Sequence, residues 1–263
     1  MGKNLFRRND GATAVKGDDG QFIGTVPAAS GPEDNAVSPE WALDPNVTYR
    51  DEVDELADYE AYLEALTSDM RRAAAEGRFR EEWQELERQC REDEQDQPEI
   101  DLSIIDFRGQ DLSGLSFDGI QFQGANFEGA NLSGVRMNRC NLDAANLYHV
   151  NLEGADLRRI TMDDASLRGA NLERAKIEDS FVSGTSFYGC KGQQASFKGS
   201  YITQCVFDFA ELRHAFMQRG SFRETDLRLA NIDYANVEQA DFEYTLVTPE
   251  VLRNTNGSPK WVN

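Results

Sequence analysis

The chain has 263 residues and a formal net charge of −20, with 47 acidic against 27 basic side chains. This length allows one large domain or a domain with appendages. The acidic balance argues against a protein that neutralises nucleic-acid phosphates with clustered Lys and Arg, and the apolar runs are too short for a membrane-spanning helix. The first residues lack the apolar core of a signal peptide, so we expect a cytoplasmic protein or a component of a particle assembled in the cytoplasm.

Residues 1–46 are predicted to form an extended or flexible arm. The segment is rich in Gly, Ala, Asp and Pro, and such a composition buries too little apolar surface to offset the entropy lost on ordering. Two short apolar islands interrupt it. They supply four candidate anchors, either onto a partner or back along the rest of the chain: Phe22, Ile23, Trp41 and Leu43.

Residues 47–98 are predicted to form an acidic α-helical hairpin. Apolar residues recur at spacings of three and four on both sides of Gly77, which is the pattern of an amphipathic helix. We therefore predict two helices, about 49–75 and 78–95, joined by a tight turn. Two interpretations stay open: the hairpin packs on or caps the region that follows, or it docks to a partner protein or to a second copy of the chain.

A period of five residues governs residues 99–247. Between Leu102 and Val247 every fifth residue, here called the central position, is apolar with the single exception of Gly192. The residue two places earlier, the small slot, is mostly Ala, Cys or Val, and Asn or Asp commonly follows it. This period fits neither an α-helix at 3.6 nor an open strand at 2. It fits a chain that turns a corner every five residues and sends one large and one small side chain inward each time.

Stretches such as ANFEG, ANLSG, ADLRR and ANLER read Ala-Asp/Asn-Leu-x-x, and residues 101–247 thereby resemble the pentapeptide-repeat family. The resemblance implies a right-handed quadrilateral β-solenoid with four repeats per coil and about 7.5 coils. Residues 20 apart should then lie above one another. This predicts stacked pairs and an amide ladder: Phe107 on Phe127, Phe187 on Phe207, Phe222 on Phe242, and Asn131, Asn151 and Asn171 in one column. Gly192 empties one central position, which predicts a local bulge or a loosened corner.

Residues 248–263 are predicted to cap the last coil. Thr248 can act as an N-cap and Pro249 suits the first helical position, so a short helix should begin here. Val251 and Leu252 would then cover the end of the solenoid.

The sequence offers little material for catalysis. His149 and His214 occupy outward slots on different faces and so cannot share a metal ion. Cys140, Cys190 and Cys205 fall in small slots, where packing explains them better than a disulfide or a zinc site. No catalytic or cofactor-binding motif is present. We therefore predict a non-enzymatic protein with no cofactor and no metal.

Outward slots in the C-terminal half of the repeats hold aromatic residues, whereas the N-terminal coils hold mostly polar residues with one outward Tyr148. Exposed aromatic rings on a rigid rod are typical of contact with protein. The alternative is that the hairpin or the arm covers them. The candidate partner surface consists of Phe181, Tyr188, Tyr201, Phe209, Phe216, Tyr234 and Tyr244.

Two functions remain open. The first is a structural or adaptor protein that contacts other proteins, or a second copy of itself, within a larger assembly such as a virion. The second comes from the resemblance alone, because some pentapeptide-repeat proteins are acidic rods that imitate duplex DNA and bind type II topoisomerases such as DNA gyrase. Acidic and basic residues alternate along the outward columns here, so the assembly role ranks first. Direct binding to nucleic acid or to a membrane is not expected.

Overall fold

The structure is a computed structural model. It describes the backbone of residues 6–7, 13–16, 22–26, 49–92 and 100–260, and the side chains of residues 59–90 and 100–260. Met1–Ser68 with Leu86–Pro98 form one compact unit, and Asp69–Glu85 with Glu99–Asn263 form the other.

In the first unit three short strands pair antiparallel: β1 (Phe6–Arg7), β2 (Thr13–Lys16) and β3 (Phe22–Val26). Part of the segment for which the sequence predicts an extended arm is therefore paired into a sheet. Phe22 and Ile23 lie in β3, but their side chains fall outside the described residues, as do Trp41 and Leu43 entirely. Their role as anchors stays a prediction.

Two helices follow, α1 (Tyr49–Ala75) and α2 (Phe79–Glu92). The chain reverses between them at Gly77, whose φ of +71° lies in the left-handed region. The Gly77 N–H donates to the Ala74 carbonyl at 3.1 Å and the Arg78 N–H donates to the Ala73 carbonyl at 2.8 Å. This pair of bonds around a left-handed glycine is the Schellman ending of a helix, and it forms the predicted tight turn.

The repeat region forms a parallel β-solenoid whose neighbouring coils pair residues 20 apart. Strand β4 (Ser116–Asp118) pairs with β5 (Arg136–Asn138), and β6 (Thr161–Asp163), β7 (Phe181–Ser183) and β8 (Tyr201–Thr203) form a second parallel sheet. Isolated bridges from Asp101↔Gln121 to Asn236↔Asn256 keep the same spacing. The predicted repeat of 20 residues per coil is therefore confirmed.

Central positions and small slots fill the interior, as the five-residue period predicts. The Phe187 and Phe207 rings stack in parallel with centroids 4.4 Å apart, and the Phe107 and Phe127 rings stack at 5.2 Å. Phe222 and Phe242 meet at 5.5 Å with tilted planes. Full burial of one such side chain is worth roughly 1.5–3 kcal/mol, and because no repeat hides its own face, the stability comes from stacked coils.

The predicted amide ladder runs along the outside of the rod. The Asn151 amide donates to the Asn131 side-chain oxygen at 3.1 Å, and the Asn171 amide donates to that of Asn151 at 3.0 Å. Asn131 in turn donates to the Asp111 carboxylate at 3.0 Å. The column ends at Lys191, which replaces the next amide.

The bulge predicted at Gly192 is wrong. The Gly192 N–H keeps its bond to the Glu211 carbonyl at 2.8 Å, and Lys191 pairs in register with residues on both neighbouring coils. A Cβ atom at Gly192 would come within 2.6 Å of Leu212 Cδ2. The Leu212 side chain from the next coil therefore occupies the space that a large residue at Gly192 would need, and the backbone has no reason to deform.

Two kinds of corner connect the faces. At many corners an N–H three residues beyond the central residue donates to its carbonyl, as from Ala170 to Leu167 at 3.0 Å. At others a side chain from the next coil supplies the donor, as from the Thr185 hydroxyl to the Met162 carbonyl at 2.8 Å. The remaining donors of this kind occupy small slots: Cys140, Ser180, Ser200, Cys205, Thr225 and Thr245. A polar residue in a small slot thus satisfies a buried carbonyl.

Aromatic residues of α2 close the N-terminal end of the solenoid. Phe79 meets the Phe107 ring edge-on at 4.7 Å between centroids, and Trp83 lies 4.7 Å from the Phe117 ring. Both side chains are fully buried. Residues 69–85 therefore cap the first coil, which is the first of the two interpretations of the hairpin.

The same segment covers the open backbone edge of the first coil. The Trp83 indole Nε1 donates to the Ser116 carbonyl at 3.1 Å, and the Arg71 and Arg80 guanidinium groups donate to the Ser103 and Asp111 carbonyls, each at 3.3 Å. An uncovered strand edge is a template for unwanted pairing with another chain. These bonds occupy it.

At the C-terminal end, α3 (Pro249–Leu252) begins as predicted. The Thr248 hydroxyl accepts a bond from the Val251 N–H at 3.4 Å. Beyond the helix the chain rejoins the ladder, where the Val237 N–H donates to the Asn256 carbonyl at 2.8 Å. Val251 and Leu252 are half-buried.

Candidate protein-binding surface

The seven outward aromatic residues predicted as a partner surface are all exposed, from 38% of the side chain at Tyr188 to 71% at Tyr244. In the described coils before residue 180, only Ile104 and Tyr148 are exposed among the large apolar side chains. The solenoid therefore concentrates its exposed rings in the C-terminal half.

Phe181 and Tyr201 form a stack on the outer side of β7 and β8. The two residues pair directly in register, and their rings lie 5.3 Å apart with planes only 5° from parallel. Strand alternation explains the arrangement, because the neighbouring Val182 and Ile202 point inward and are fully buried. More than half of each ring faces solvent. The spacing of 20 residues per coil thus brings the two rings together on one face.

Tyr188 and Phe209 form a second group on the next face of the rod. Their rings meet edge-to-face at 5.4 Å. The Arg168 guanidinium lies 4.7 Å above the Tyr188 ring, within the range of a cation–π contact. Phe209 sits at a corner with a φ of +59°, a conformation that disfavours an aromatic residue.

Two further predicted rings contact basic side chains. Lys198 Nζ lies 5.1 Å from the centre of the Phe216 ring. Tyr234 stacks on His214 at 5.2 Å, with the Arg213 guanidinium 5.8 Å from its ring. Since successive repeats turn corners, the seven rings do not form one patch.

Three exposed apolar residues escaped the sequence analysis. Val206, Leu229 and Leu246 are outward-facing and more than one third exposed. Val206 and Leu246 occupy a column that holds Asp, Asn and Ser in the earlier coils, and Leu229 occupies one that holds mostly Gly, so these substitutions were a signal in the sequence. The search for aromatic residues alone passed over them.

Ion pairs neutralise much of the rod's surface charge. Arg158 and Asp156 lie 2.6 Å apart, and Arg108 and Asp106 lie 2.7 Å apart. The Arg158 guanidinium donates to the Asp156 carboxylate and holds its pKa below the usual value. Further pairs join neighbouring coils: Arg139 with Asp118, Arg174 with Glu153, and Arg223 with Glu243. Exposed pairs of this kind contribute little stability, but they interrupt any continuous acidic row.

Candidate catalytic groups are placed for packing. Burial raises the pKa of the Cys140, Cys190 and Cys205 thiols to about 12, so these thiols stay protonated and unreactive. His149 is exposed, with Nδ1 at 3.3 Å from the Gly169 carbonyl oxygen. In the described part of the chain, no group of three or more His, Cys, Asp or Glu side chains is placed to hold a metal ion. Among those same residues, no helix combines the length and apolarity needed to cross a bilayer.

Comparison with known proteins identifies the repeat. The family model described as Pentapeptide repeats matches in eight copies over residues 100–139, 140–179 and 205–243. Comparison with curated proteins gives no match.

Solved structures with which the chain aligns include three repeat proteins. Trypsin-treated QnrB1, a plasmid-mediated fluoroquinolone resistance protein, is 14% identical over 58% of this chain and 91% of its own, with a TM-score of 0.42. HetL, a pentapeptide repeat protein involved in heterocyst differentiation regulation from the cyanobacterium Nostoc, is 22% identical over 56% and 80%, with a TM-score of 0.28. A pentapeptide repeat protein from the Arabidopsis thaliana thylakoid lumen is 34% identical over 43% and 68%, with a TM-score of 0.21.

Proposed function

The repeat region of this chain belongs to the pentapeptide-repeat family, and on that basis we propose a non-enzymatic structural or adaptor protein that acts by protein–protein contact. In this proposal the repeats form a right-handed quadrilateral β-solenoid of about 7.5 coils. The rod presents fixed binding surfaces within a larger assembly, such as a virion or another large particle.

The observation that carries the proposal is the uneven distribution of exposed rings. The coils share one buried core, yet solvent-exposed rings gather after residue 180. Packing of the core does not require this, because the equivalent outward slots of the earlier coils hold mostly glycine and polar or charged residues, with Ile104 and Tyr148 as the large apolar exceptions. Exposed apolar groups concentrated on one part of a surface are typical of an interaction site.

The rigidity of the rod supports the same proposal. Phe181 and Tyr201 are held parallel by paired strands, and their backbones are fixed by the ladder bonds of the solenoid. A ring that is already ordered loses little conformational entropy when a partner binds. Such a surface needs no rearrangement to dock.

Affinity capture from the native host tests the proposal. The full chain serves as bait, beside the double variant Phe181→Ser/Tyr201→Ser and the single variant Tyr148→Ser, which removes an exposed ring from the N-terminal half. We expect one protein to be captured by the wild type and by Tyr148→Ser but not by the double variant. Equal capture by all three baits, or by none, would contradict the proposal.

The alternative, an acidic mimic of DNA that binds a type II topoisomerase, rests on the family resemblance. Ion pairs such as Arg158–Asp156 break up the acidic columns that such a mimic needs. The test is supercoiling by DNA gyrase with the protein at stoichiometric concentration. Inhibition of supercoiling, or relief of quinolone trapping, would replace the adaptor role with the mimic.

A further inference from the structure

Three corners of the C-terminal coils hold a Phe or Tyr side chain in a backbone conformation that favours glycine, and two of them, Phe209 and Tyr244, border the same face. Phe209 has a φ of +59° and Tyr244 a φ of +56°. The same columns hold Gly189 and Gly184 one or more coils earlier, in the same conformation. An L residue with a Cβ is less stable there than glycine. The backbone conformation of these corners therefore gives no reason for a ring at either position.

The two rings border one face of the rod. Because residues 20 apart lie above one another, Tyr244 belongs to the corner before this face and Phe209 to the corner after it. Between them Val206 and Leu246 are exposed in one column. We call the surface formed by Val206, Asp208, Phe209, Glu224, Tyr244 and Leu246 the C-terminal face.

The charge of the C-terminal face is negative. The Asp208 side chain lies on the face and that of Glu224 at its border. Arg228 lies 2.6 Å from Asp226 in an ion pair, and Arg168, further back in the same column, lies over the Tyr188 ring. Nearby Arg223 is paired with Glu243. The carboxylates of Asp208 and Glu224 are therefore in excess, on a chain whose net charge is −20.

Two rings of this rod already lie against cations, and one of them, Tyr188, meets the Phe209 ring edge-to-face. The Arg168 guanidinium lies over Tyr188 at 4.7 Å, and the Lys198 ammonium lies 5.1 Å from the Phe216 ring centre. Cations bind aromatic faces in this geometry. The aliphatic stems of Lys and Arg also cover apolar surface while their charged ends stay in water.

We propose that the C-terminal face binds a basic segment of a partner protein. Its Lys or Arg side chains lie on the Phe209 and Tyr244 rings beside Asp208 and Glu224, and their stems cover Val206 and Leu246. The inference rests on the proposed adaptor function and adds the chemistry of the partner. In this proposal the partner's basic side chains are recognised by aromatic rings and two carboxylates, and not by continuous columns of acidic residues.

The experiment measures binding of a short peptide of alternating lysine and serine to the full chain by calorimetry. The matched probe replaces each lysine by norleucine, which keeps the stem and removes the charge. The variant is Phe209→Gly/Tyr244→Gly. Its control, Gln194→Gly/Gln239→Gly, changes two corners that also have positive φ, carry no ring and lie away from the C-terminal face.

We expect the lysine peptide to bind the wild type and the control equally, and the ring variant about tenfold more weakly. The melting temperature of the ring variant should equal or exceed that of the wild type, since glycine suits both corners. Equal affinity of the ring variant, or equal binding of the norleucine peptide, would overturn the inference. A lowered melting temperature would also overturn it, because the rings would then serve the fold.

This outcome is separable from that of the adaptor proposal. Capture of a host protein through Phe181 and Tyr201, without any preference for the lysine peptide, rejects the basic partner and leaves the adaptor role standing. Peptide binding without loss of capture in the Phe181→Ser/Tyr201→Ser variant supports the inference on the C-terminal face. It then rejects the β7–β8 stack as the site of capture.

Discussion

In the N-terminal half of the solenoid, six successive corners from Gly109 to Gly134 are glycines in the left-handed conformation. In the C-terminal half, five successive corners from Gln204 to Glu224 take up the same conformation with side chains attached. The amide ladder from Asp111 to Asn171 likewise belongs to the first half and stops before Lys191. The central positions stay apolar in both halves apart from Gly192, although polar residues enter several small slots of the second half.

The comparison teaches that core and surface are specified separately in this fold. The inward pattern of central positions and small slots is enough to form the coil. The outward residues can therefore either stabilise the rod or bind a partner. The first half uses residues that suit the backbone, namely glycine corners and stacked amides. The second half lacks most of these stabilising residues and has exposed rings and charged side chains in their place. Substitutions that exchange these features between the halves should therefore change stability in predictable directions.

The largest expected effect comes from the shared core. Leu152→Ala removes a buried side chain and should lower the free energy of unfolding by about 2–5 kcal/mol. Leu212→Ala should lie at the upper end of that range, because Leu212 also fills the space beside Gly192 and its loss opens a larger cavity. Chemical denaturation measures both variants. Glu153→Ala, at an exposed position of the same repeat, should change stability by less than about 1 kcal/mol.

A smaller effect is expected at the polar small slots of the second half. Thr185→Val keeps the shape of the side chain but removes the hydroxyl that donates to the Met162 carbonyl. Leaving that buried carbonyl without a donor should cost about 1–3 kcal/mol. Thr203→Val, on an outward slot of β8, is the control. Identical melting temperatures for the two variants would show that the hydroxyl does not stabilise the corner.

The smallest predicted effect transfers a feature of the first half to the second. Lys191→Asn would extend the amide column beyond Asn171, whose side-chain oxygen is placed to accept the new bond. We expect a gain of about 0.5–1.5 kcal/mol, the usual net value of one hydrogen bond. Lys191→Ala removes the lysine without adding an amide and should show no gain. A gain of the same size in both would assign the effect to the loss of charge.

The sequence alone predicted what repeats locally. Register, stacked rings such as Phe187 on Phe207, the amide ladder and the turn at Gly77 each depend on a spacing that can be read along the chain. The prediction at Gly192 was wrong because the Leu212 side chain fills the space beside it. The five-residue period does not indicate how far a side chain extends towards the neighbouring coil.

The donor role of Thr185 escaped for a similar reason, because it depends on which turn the chain makes one coil earlier, at Met162. The exposed side chains of Val206, Leu229 and Leu246 were readable from the register that places the rings outside, and they were missed because only aromatic residues were considered. The sequence analysis thus identified the aromatic residues of the candidate surface and missed its aliphatic residues.

Site-specific photo-crosslinking tests the central claim most directly, that partners bind the C-terminal half. The photoreactive residue p-benzoylphenylalanine replaces Tyr201, Phe209 or, for comparison, Glu128 on an outward slot of an early coil. Irradiation in the native host should join the chain to a protein of one mass from positions 201 and 209 and to none from position 128. Adducts that form as readily from position 128 would contradict the account.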